Sequence, residues 1–195
     1  MMISPQLKEL LLQALTHERG GVLVYRTALE CALNEDLDEE WREYLAQTEH
    51  HVEVLTRVCE RLALDAGEVT PGCQIVHDNG KALVAAMKAA LAASDPVAAQ
   101  LVACDCVVLA ETKDHANWEL IGACAKDMEG ELSTVLREAY DEVEDQEDEH
   151  LYHTKGWCRE LWRQWLGLEA VLPPPEETAH VKTAVQAAQA KAHAH

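Results

Sequence analysis

The sequence predicts an all-α protein built around four long helices, and three observations favour that fold class. Phe is absent, and Ala and Leu are the main types among the 48% of residues that are hydrophobic. Ala, Leu, Glu, Gln and Lys lose little conformational freedom on entering a helix. No segment shows the alternation of apolar and polar residues that marks a strand. Ser4-Pro5 and Asp95-Pro96 each combine a capping side chain with a first-turn proline, which is typical of a helix start.

The first long helix is predicted to begin at Pro5 and to run to about residue 33, because apolar side chains recur there every three or four positions. The turn at 34–36 is short, so the second helix, residues 38–64, should return antiparallel to the first. Residues 67–94 are too many for a tight turn, and they include one shorter helix at 74–92. We expect this segment to be a crossover along the length of the bundle.

The third long helix is predicted to begin at Pro96 and to end at a break over residues 127–130, after which the fourth runs to about Gly167. Three consecutive prolines at 173–175 then stop regular structure. We therefore expect a bundle over residues 1–168, followed by a Pro-rich linker and an Ala- and His-rich tail over 169–195. The pattern leaves open whether that tail is a loosely held helix or a disordered arm.

The net charge and the cysteines restrict the class of protein. Sixteen basic and 35 acidic residues give a formal charge of −19, which repels nucleic acid and anionic lipid and attracts cations. The seven cysteines are odd in number and include no Cys-x-x-Cys, so buried thiols in a reducing compartment are expected. Residues 1–7 do not resemble a signal peptide, and no apolar run approaches about 20 residues. These features predict a cytoplasmic protein with no membrane span.

Several positions on the predicted inward faces are polar where apolar residues are expected. The first, third and fourth long helices each place a Glu there, and the third and fourth add a His one turn away. The second helix places a His beside its apolar face, with a Glu two residues earlier. Counted along the antiparallel hairpins, these positions fall at matching depths. The candidate metal ligands are Glu18, Glu49, His51, Glu111, His115, Glu147 and His150.

Metal binding is the chemistry that these residue types favour. A buried carboxylate costs several kcal/mol unless it is paired or bound to a cation. Ligands three or four residues apart on a helix point at one centre. Seven of the nine residues at 141–149 are acidic, so Glu147 alone would be weak support, but His150 is a suitable partner at a suitable spacing. The other polar candidates are expected elsewhere, with His17, His77 and His153 at the surface and Tyr25 in the core.

This ligand pattern resembles the ferritin-like superfamily, whose members place Glu on the first and third helices and Glu-x-x-His on the second and fourth. Residues 47–55, QTEHHVEVL, also resemble the second helix of the bacterial stress-related YciE/YciF type, and residues from Asp95 onward resemble its third helix. The similarity covers residues 5–167. The second helix departs from the family pattern, because Thr48 stands three residues before His51 and Gln47 three before His50.

The resemblance implies a ferritin-like four-helix bundle that holds two iron ions, or alternatively manganese. It also implies reaction with a small oxidant, in iron oxidation, in peroxide or oxygen chemistry or in a stress response, by a homodimer. Glu18 and Glu147 would bind or bridge the metals, and Glu111 would be a further bridge or a terminal ligand. The two imidazoles, those of His51 and His150, would be terminal ligands.

The departure on the second helix leaves other interpretations open. Glu49 would have to turn inward, or Asp114 or His115 would have to replace the missing carboxylate. If neither happens, the chain is a metal-free ferritin-like scaffold that binds a partner protein. A di-iron hydroxylase is a third possibility, and it would need a substrate cavity beside the metals.

Overall fold

The computed structural model describes residues 3–194, and within that range the regular secondary structure is all α-helical, as predicted. Five long helices are followed by two short ones, and no strand occurs among the described residues. The helices are α1 (Pro5–Cys31), α2 (Glu35–Arg61), α3 (Pro71–Ala92), α4 (Pro96–Asp127), α5 (Gly130–Trp165), α6 (Pro175–Thr178) and α7 (Ala184–Ala194). None of them is both long enough and apolar enough to cross a membrane.

Side-chain caps determine where four of the long helices begin. Ser4 and Asp95 accept hydrogen bonds from backbone amides three residues later, as their sequence context predicts. Asn34 and Thr70 cap α2 and α3 in the same way. Both helices therefore begin three residues before the predicted positions of 38 and 74. The predicted end of α2 at residue 64 is likewise late by three residues, because the helix ends at Arg61.

Four of the long helices surround a common interior. In the order α1, α2, α5, α4 each contacts the next, and α4 closes the ring against α1. Side-chain pairs across each interface show that neighbours are antiparallel: for example, α2 and α5 pair Glu40 with His153 near one end and Arg61 with Glu138 near the other. Two antiparallel hairpins, α1–α2 and α4–α5, therefore lie side by side.

Helix α3 connects the two hairpins by running the length of the assembly. It packs against α1 and α4 on the outside of the ring. Its first turn is held by Glu9, whose carboxylate accepts a hydrogen bond from the Gly72 amide at 2.7 Å. Farther along, Gly80 lies against Gly20 of α1. The predicted crossover is thus a helix of 22 residues that covers one face of α1.

The interior consists of two apolar clusters with a polar layer between them. One cluster contains Leu7 to Leu15 of α1, and the other contains Val24 to Cys31 of the same helix, so Glu18 lies between the two. The other three ring helices likewise contribute apolar residues from one half to the first cluster and from the other half to the second. All seven cysteines are free thiols, and five of them are buried among these apolar side chains. The position of the polar layer is therefore defined by apolar packing on both sides.

The C-terminal segment packs against α5 through α6 and α7. Glu176 of α6 is buried and accepts two hydrogen bonds from the Arg159 guanidinium, at 2.6 and 2.8 Å. Gly156 leaves room for this contact, because a Cβ there would lie 2.7 Å from a Glu176 carboxylate oxygen. Beyond α6, Lys182 pairs with Asp145 at 3.0 Å on the surface. The part of the tail that the structure describes thus contains two short helices, and the buried Glu176 attaches it to α5.

The docking of α6 is expected to weaken as the pH rises. Burial, and next the repulsion from Glu40, raise the pKa of the Glu177 carboxyl from 4.5 to about 7. The folded chain therefore binds this proton more tightly, so the stabilisation is complete below about pH 4.5 and is lost as the pH rises through about 7. After a discount for solvent screening, we expect a loss of about 1 kcal/mol in the free energy of unfolding.

Urea unfolding at pH 5 and pH 8, for the wild-type chain and for Glu177→Gln, measures this effect. The pH-dependent loss should be about 1 kcal/mol smaller in the variant. The same slope in both proteins would contradict the expectation.

Candidate metal centre

The polar layer between the apolar clusters is a group of six side chains, one or two from each helix of the ring. We call it the acid–imidazole cluster. Each of the six is no more than 3% exposed, although they lie on four separate helices. Its members are Glu18 of α1, His51 of α2, Glu111 and Asp114 of α4, and Glu147 and His150 of α5.

Glu147 is at the centre of the cluster. Its Oε1 lies 3.0 Å from Nδ1 of His51 and 3.9 Å from Nδ1 of His150. The same nitrogen of His51 lies 3.5 Å from Glu18, and that of His150 lies 3.5 Å from Glu111. The two imidazole rings stack with their centroids 5.6 Å apart. Both rings therefore point Nδ1 toward the carboxylates.

The ligand atoms form two groups that share one residue. The first is His51, Glu147 and His150, and the second is Glu18, Asp114 and Glu147. Within each group, one oxygen or nitrogen from every residue lies within 4.8 Å of the others. This arrangement offers two adjacent positions for cations, with Glu147 between them.

Many of the polar atoms in the cluster have no hydrogen-bond partner. Most buried polar atoms in proteins are paired, and an unpaired one costs about 1–3 kcal/mol. Glu18 is held on one side, where Oε1 accepts a hydrogen bond from the Trp118 indole at 2.7 Å. The atoms that make no hydrogen bond are Glu18 Oε2, His51 Nδ1, Glu111 Oε2, Asp114 Oδ1 and both oxygens of Glu147. His51 Nδ1 and Glu147 Oε1 are within ion-pair distance, but they are not aligned for a hydrogen bond.

The cluster is also strongly acidic. Among the described residues, the ion-pair partners of its four carboxylates are the two imidazoles alone. Burial, followed by repulsion from the neighbouring carboxylates, raises the pKa of Asp114 well above its ordinary value. Burial likewise raises the pKa of Glu147. For Glu111 burial acts in the same direction, but the combined attraction of His150, Tyr25 and His17 outweighs it and the pKa is lowered. The arrangement thus brings four carboxyl groups together with only two imidazoles as ion-pair partners in the described part of the chain.

The predicted ligand Glu49 does not lie in the cluster, and this corrects the expectation that it turns inward. It is exposed and pairs with Arg26 at 2.6 Å. Successive residues of a helix are about 100° apart, so Glu49 lies about 200° around α2 from the buried His51. The second helix therefore contributes His51 alone.

The predicted ligand His115 is also outside the cluster. It is half-buried, and its Nε2 pairs with Asp148 at 2.8 Å near the edge of the α4–α5 interface. The inward face of α4 passes through Glu111, Asp114 and Trp118. Since His115 lies to one side of that line, Asp114 takes the inward position. The other five predicted ligands are brought together with Asp114.

Two histidines expected at the surface are buried. His17 donates a hydrogen bond from Nε2 to the Ala110 carbonyl at 2.9 Å, and burial lowers the pKa of this ring. Its face of α1 is covered by α3, which a simple four-helix pattern does not anticipate. His153 lies within 3.0 Å of the Tyr44 hydroxyl and 3.1 Å of Glu40. By contrast, Tyr25 is in the core and His77 is exposed, as predicted.

Two glutamines beside the cluster were not singled out from the sequence. His51 Nε2 lies 2.8 Å from Oε1 of Gln146, and His150 Nε2 lies 2.6 Å from Oε1 of Gln47. A signal for them does exist, since α2 and α5 each contain Gln-x-x-x-His, at 47–51 and 146–150. The spacing alone does not show that each glutamine meets the histidine of the other helix.

A cavity of about 280 Å³ lies between α1, α3 and α4. Its walls include His17 and Ala110, each of which is next in sequence to a member of the cluster. No member of the cluster lines it. This cavity therefore does not open onto the cluster, as a substrate pocket of a hydroxylase would need to do.

Comparisons with known proteins give no match, whether to family models, to curated proteins or to solved structures. The chemistry of the cluster therefore has to be inferred from its own residues and geometry.

Proposed function

We propose that this chain is a ferritin-like di-metal protein that binds two iron ions, or alternatively manganese, in the acid–imidazole cluster. We further propose that it acts in iron oxidation or in oxygen or peroxide chemistry. Two antiparallel hairpins joined by a crossover are the topology of ferritin-like folds, and α1 to α5 are arranged in that way. Inward Glu and His side chains on facing helices are the ligands of such proteins.

The observation that supports the proposal best is the shared position of Glu147 between two groups of ligand atoms. Four buried carboxylates repel one another, and isolated buried charges are costly. Two divalent cations would cancel four negative charges and give partners to the oxygen and nitrogen atoms that now lack them. The donor set therefore fits a pair of metal ions.

The donor types favour particular metals. Thiolates are not part of the cluster, which makes it unlike structural zinc sites. Purely oxygen sites are typical of calcium and magnesium, whereas mixed imidazole and carboxylate ligands suit redox metals such as iron. We assign His51, Glu147 and His150 with Glu111 to one ion, and Glu18, Asp114 and Glu147 to the other. Asp114 would replace the carboxylate that α2 lacks at Thr48.

The surrounding residues would set the conditions of the reaction. When bound, a pair of iron ions supplies electrons to a small oxidant as the metal passes from the ferrous to the ferric state. The chain's own side chains orient the ligands and exclude water. Trp118 fixes one oxygen of Glu18, and the apolar clusters on both sides keep solvent from the layer. A buried Tyr25 lies near this layer, with a ring centroid 6.2 Å from that of His150.

Metal analysis of the wild-type chain tests the proposal. Protein loaded anaerobically with excess ferrous iron and then desalted should retain about two ions per chain by mass spectrometry. Because a ligand that binds the folded state stabilises it, free metal at about 100 times its Kd should add roughly 2.7 kcal/mol per site to the free energy of unfolding. A metal content well under one ion per chain, with iron or manganese, would refute the proposal.

One observation favours a metal-free scaffold as the second candidate. His51 lies 3.0 Å from Glu147, and the carboxylates of Glu18 and Glu147 together outweigh the burial of this ring and raise its pKa well above the ordinary value. The pair is therefore able to form an internal ion pair without a metal. Unchanged thermal stability and unchanged absorbance after addition of ferrous iron in air would support the metal-free scaffold instead.

A further inference from the structure

Two hydrogen bonds cross the α2–α5 interface beside the acid–imidazole cluster, and they are reciprocal. Gln146 of α5 accepts from His51 of α2 at 2.8 Å, and Gln47 of α2 accepts from His150 of α5 at 2.6 Å. Each glutamine lies four residues before the histidine of its own helix, yet it contacts the histidine of the other. The two helices therefore exchange one Gln–His bond in each direction.

The chemistry of the amide determines which ring nitrogen carries a proton. A glutamine Oε1 atom only accepts hydrogen bonds, so the imidazole nitrogen facing it must be an N–H donor. In both rings that nitrogen is Nε2. The other nitrogen, Nδ1, then faces the carboxylates. Once Nδ1 has lost its proton, its lone pair points toward those carboxylates and is the one that a metal ion there would use.

A further hydrogen bond orients one of the two amides. The Nε2 amino group of Gln47 donates to Glu43 at 3.0 Å on the outer side of α2. This contact leaves the Gln47 carbonyl oxygen directed at His150. Both ends of the Gln47 amide are thus held by hydrogen bonds, so this side chain is able to fix the orientation of the His150 ring.

We infer that Gln47 and Gln146 are positioning residues that hold Nε2 of His150 and His51 in the N–H form and so present Nδ1 as the metal ligand. The metal part of this inference rests on the proposed function. Metal-bound histidines usually donate to a carboxylate, a backbone carbonyl or water. Here a neutral amide oxygen accepts this hydrogen bond, and it adds no charge to a layer that already contains four carboxylates.

Nuclear magnetic resonance of the imidazole groups tests the positioning without any metal. In protein labelled with ¹⁵N-histidine, we expect Nε2–H signals from His51 and His150 that exchange slowly with solvent, whether the rings are charged or neutral. Gln146→Leu should remove that protection from His51 alone, and Gln47→Leu from His150 alone. Rings protonated only at Nδ1, or signals unaffected by both substitutions, would overturn the inference.

Metal titration tests the consequence for binding. Loss of such a partner typically weakens metal binding 10- to 100-fold. We expect that decrease in Zn²⁺ affinity, measured by calorimetry, for Gln146→Leu and for Gln47→Leu. Gln146→Glu restores an acceptor and should recover most of the affinity. The matched control is Gln164→Leu, at an exposed position on α5, which should bind as the wild-type chain does.

The two experiments separate failure of this inference from failure of the proposed function. If the wild-type chain binds no metal but both rings show the expected Nε2–H signals, the proposed function fails and the positioning of the rings stands. If the wild-type chain binds metal and both Gln146→Leu and Gln47→Leu bind it with equal affinity, the positioning role fails and the proposed function stands. Circular dichroism of each variant checks that it is folded.

Discussion

The Glu147→Gln variant is expected to lose most of its metal at both positions, from about two iron ions per chain to well under one. The reason is that Glu147 belongs to both groups of ligand atoms, so no cation position keeps its full set. An amide oxygen is a weaker ligand for a divalent cation than a carboxylate, and it does not compensate the charge of the ion. Metal analysis after anaerobic loading with ferrous iron measures the effect.

The same substitution, although it weakens metal binding, should not destabilise the metal-free chain. Replacing one of four mutually repelling buried carboxylates by an amide relieves repulsion, and it avoids burial of a charge. We expect the free energy of unfolding of the metal-free variant, measured with urea, to equal that of the metal-free wild type or to exceed it by up to about 2 kcal/mol. This combination would distinguish a lost ligand from a misfolded protein.

A matched control for this experiment is Glu49→Gln. Glu49 is the predicted ligand that lies on the surface, where it pairs with the exposed Arg26. Exposed pairs contribute about 0–1 kcal/mol, so this variant should keep both its stability and its two metal ions. Full metal content in Glu147→Gln, or loss of metal in Glu49→Gln, would contradict the assignment of the ligands.

The second large effect is expected from Arg159→Met. This change removes both hydrogen-bond donors from Glu176, which is only 3% exposed, while keeping an apolar stem of similar length. Removing one partner of a buried pair leaves an uncompensated charge and typically costs 3–5 kcal/mol. Because α6 is at the end of the assembly and can move Glu176 into water, we expect a smaller loss of about 2–3 kcal/mol.

Hydrogen exchange locates this loss, and urea unfolding measures it. Amides of residues 171–181 should exchange much faster in Arg159→Met, whereas those of α1 and α4 should be unchanged. The control is Arg42→Met, which removes an exposed ion pair with Asp38 on α2 and should cost less than about 0.5 kcal/mol. Equal effects of the two substitutions would show that the Arg159–Glu176 pair does not hold α6.

The long helices could be predicted because their signals are local. Ser4-Pro5 and Asp95-Pro96 mark starts that the structure confirms at Pro5 and Pro96. The early start of α2 was missed because Asn34 was assigned to a turn, although it is the cap of that helix. The docking of α6 was not predictable. It depends on Gly156 and Arg159 of α5 meeting Glu176, and their contact is not encoded in any spacing.

The candidate site was partly predictable for a similar reason. Glu18, Glu111 and Glu147 interrupt apolar stripes, and that is visible in a single sequence. The choice between neighbouring polar residues was not visible: Asp114 rather than His115 lies inward on α4, and His17 is covered because α3 packs over α1. The sequence also did not predict that Gln47 pairs with His150, and Gln146 with His51, across the α2–α5 interface.

The sequence by itself determined that the chain is helical, where most helices begin, and which helices place acids and histidines at mid-length on an apolar face. Those properties follow from caps, helix-forming residues and a period of 3.6, which act within one helix. Only the tertiary structure decided which side chains meet, and that both imidazoles turn Nδ1 toward Glu147. The physical reason is that the rotation of each helix about its axis is set by packing against its neighbours. Asp114, which lies inside the cluster, and His115 at its edge are about 100° apart on α4, so a rotation of the helix by part of that angle changes which of them points inward.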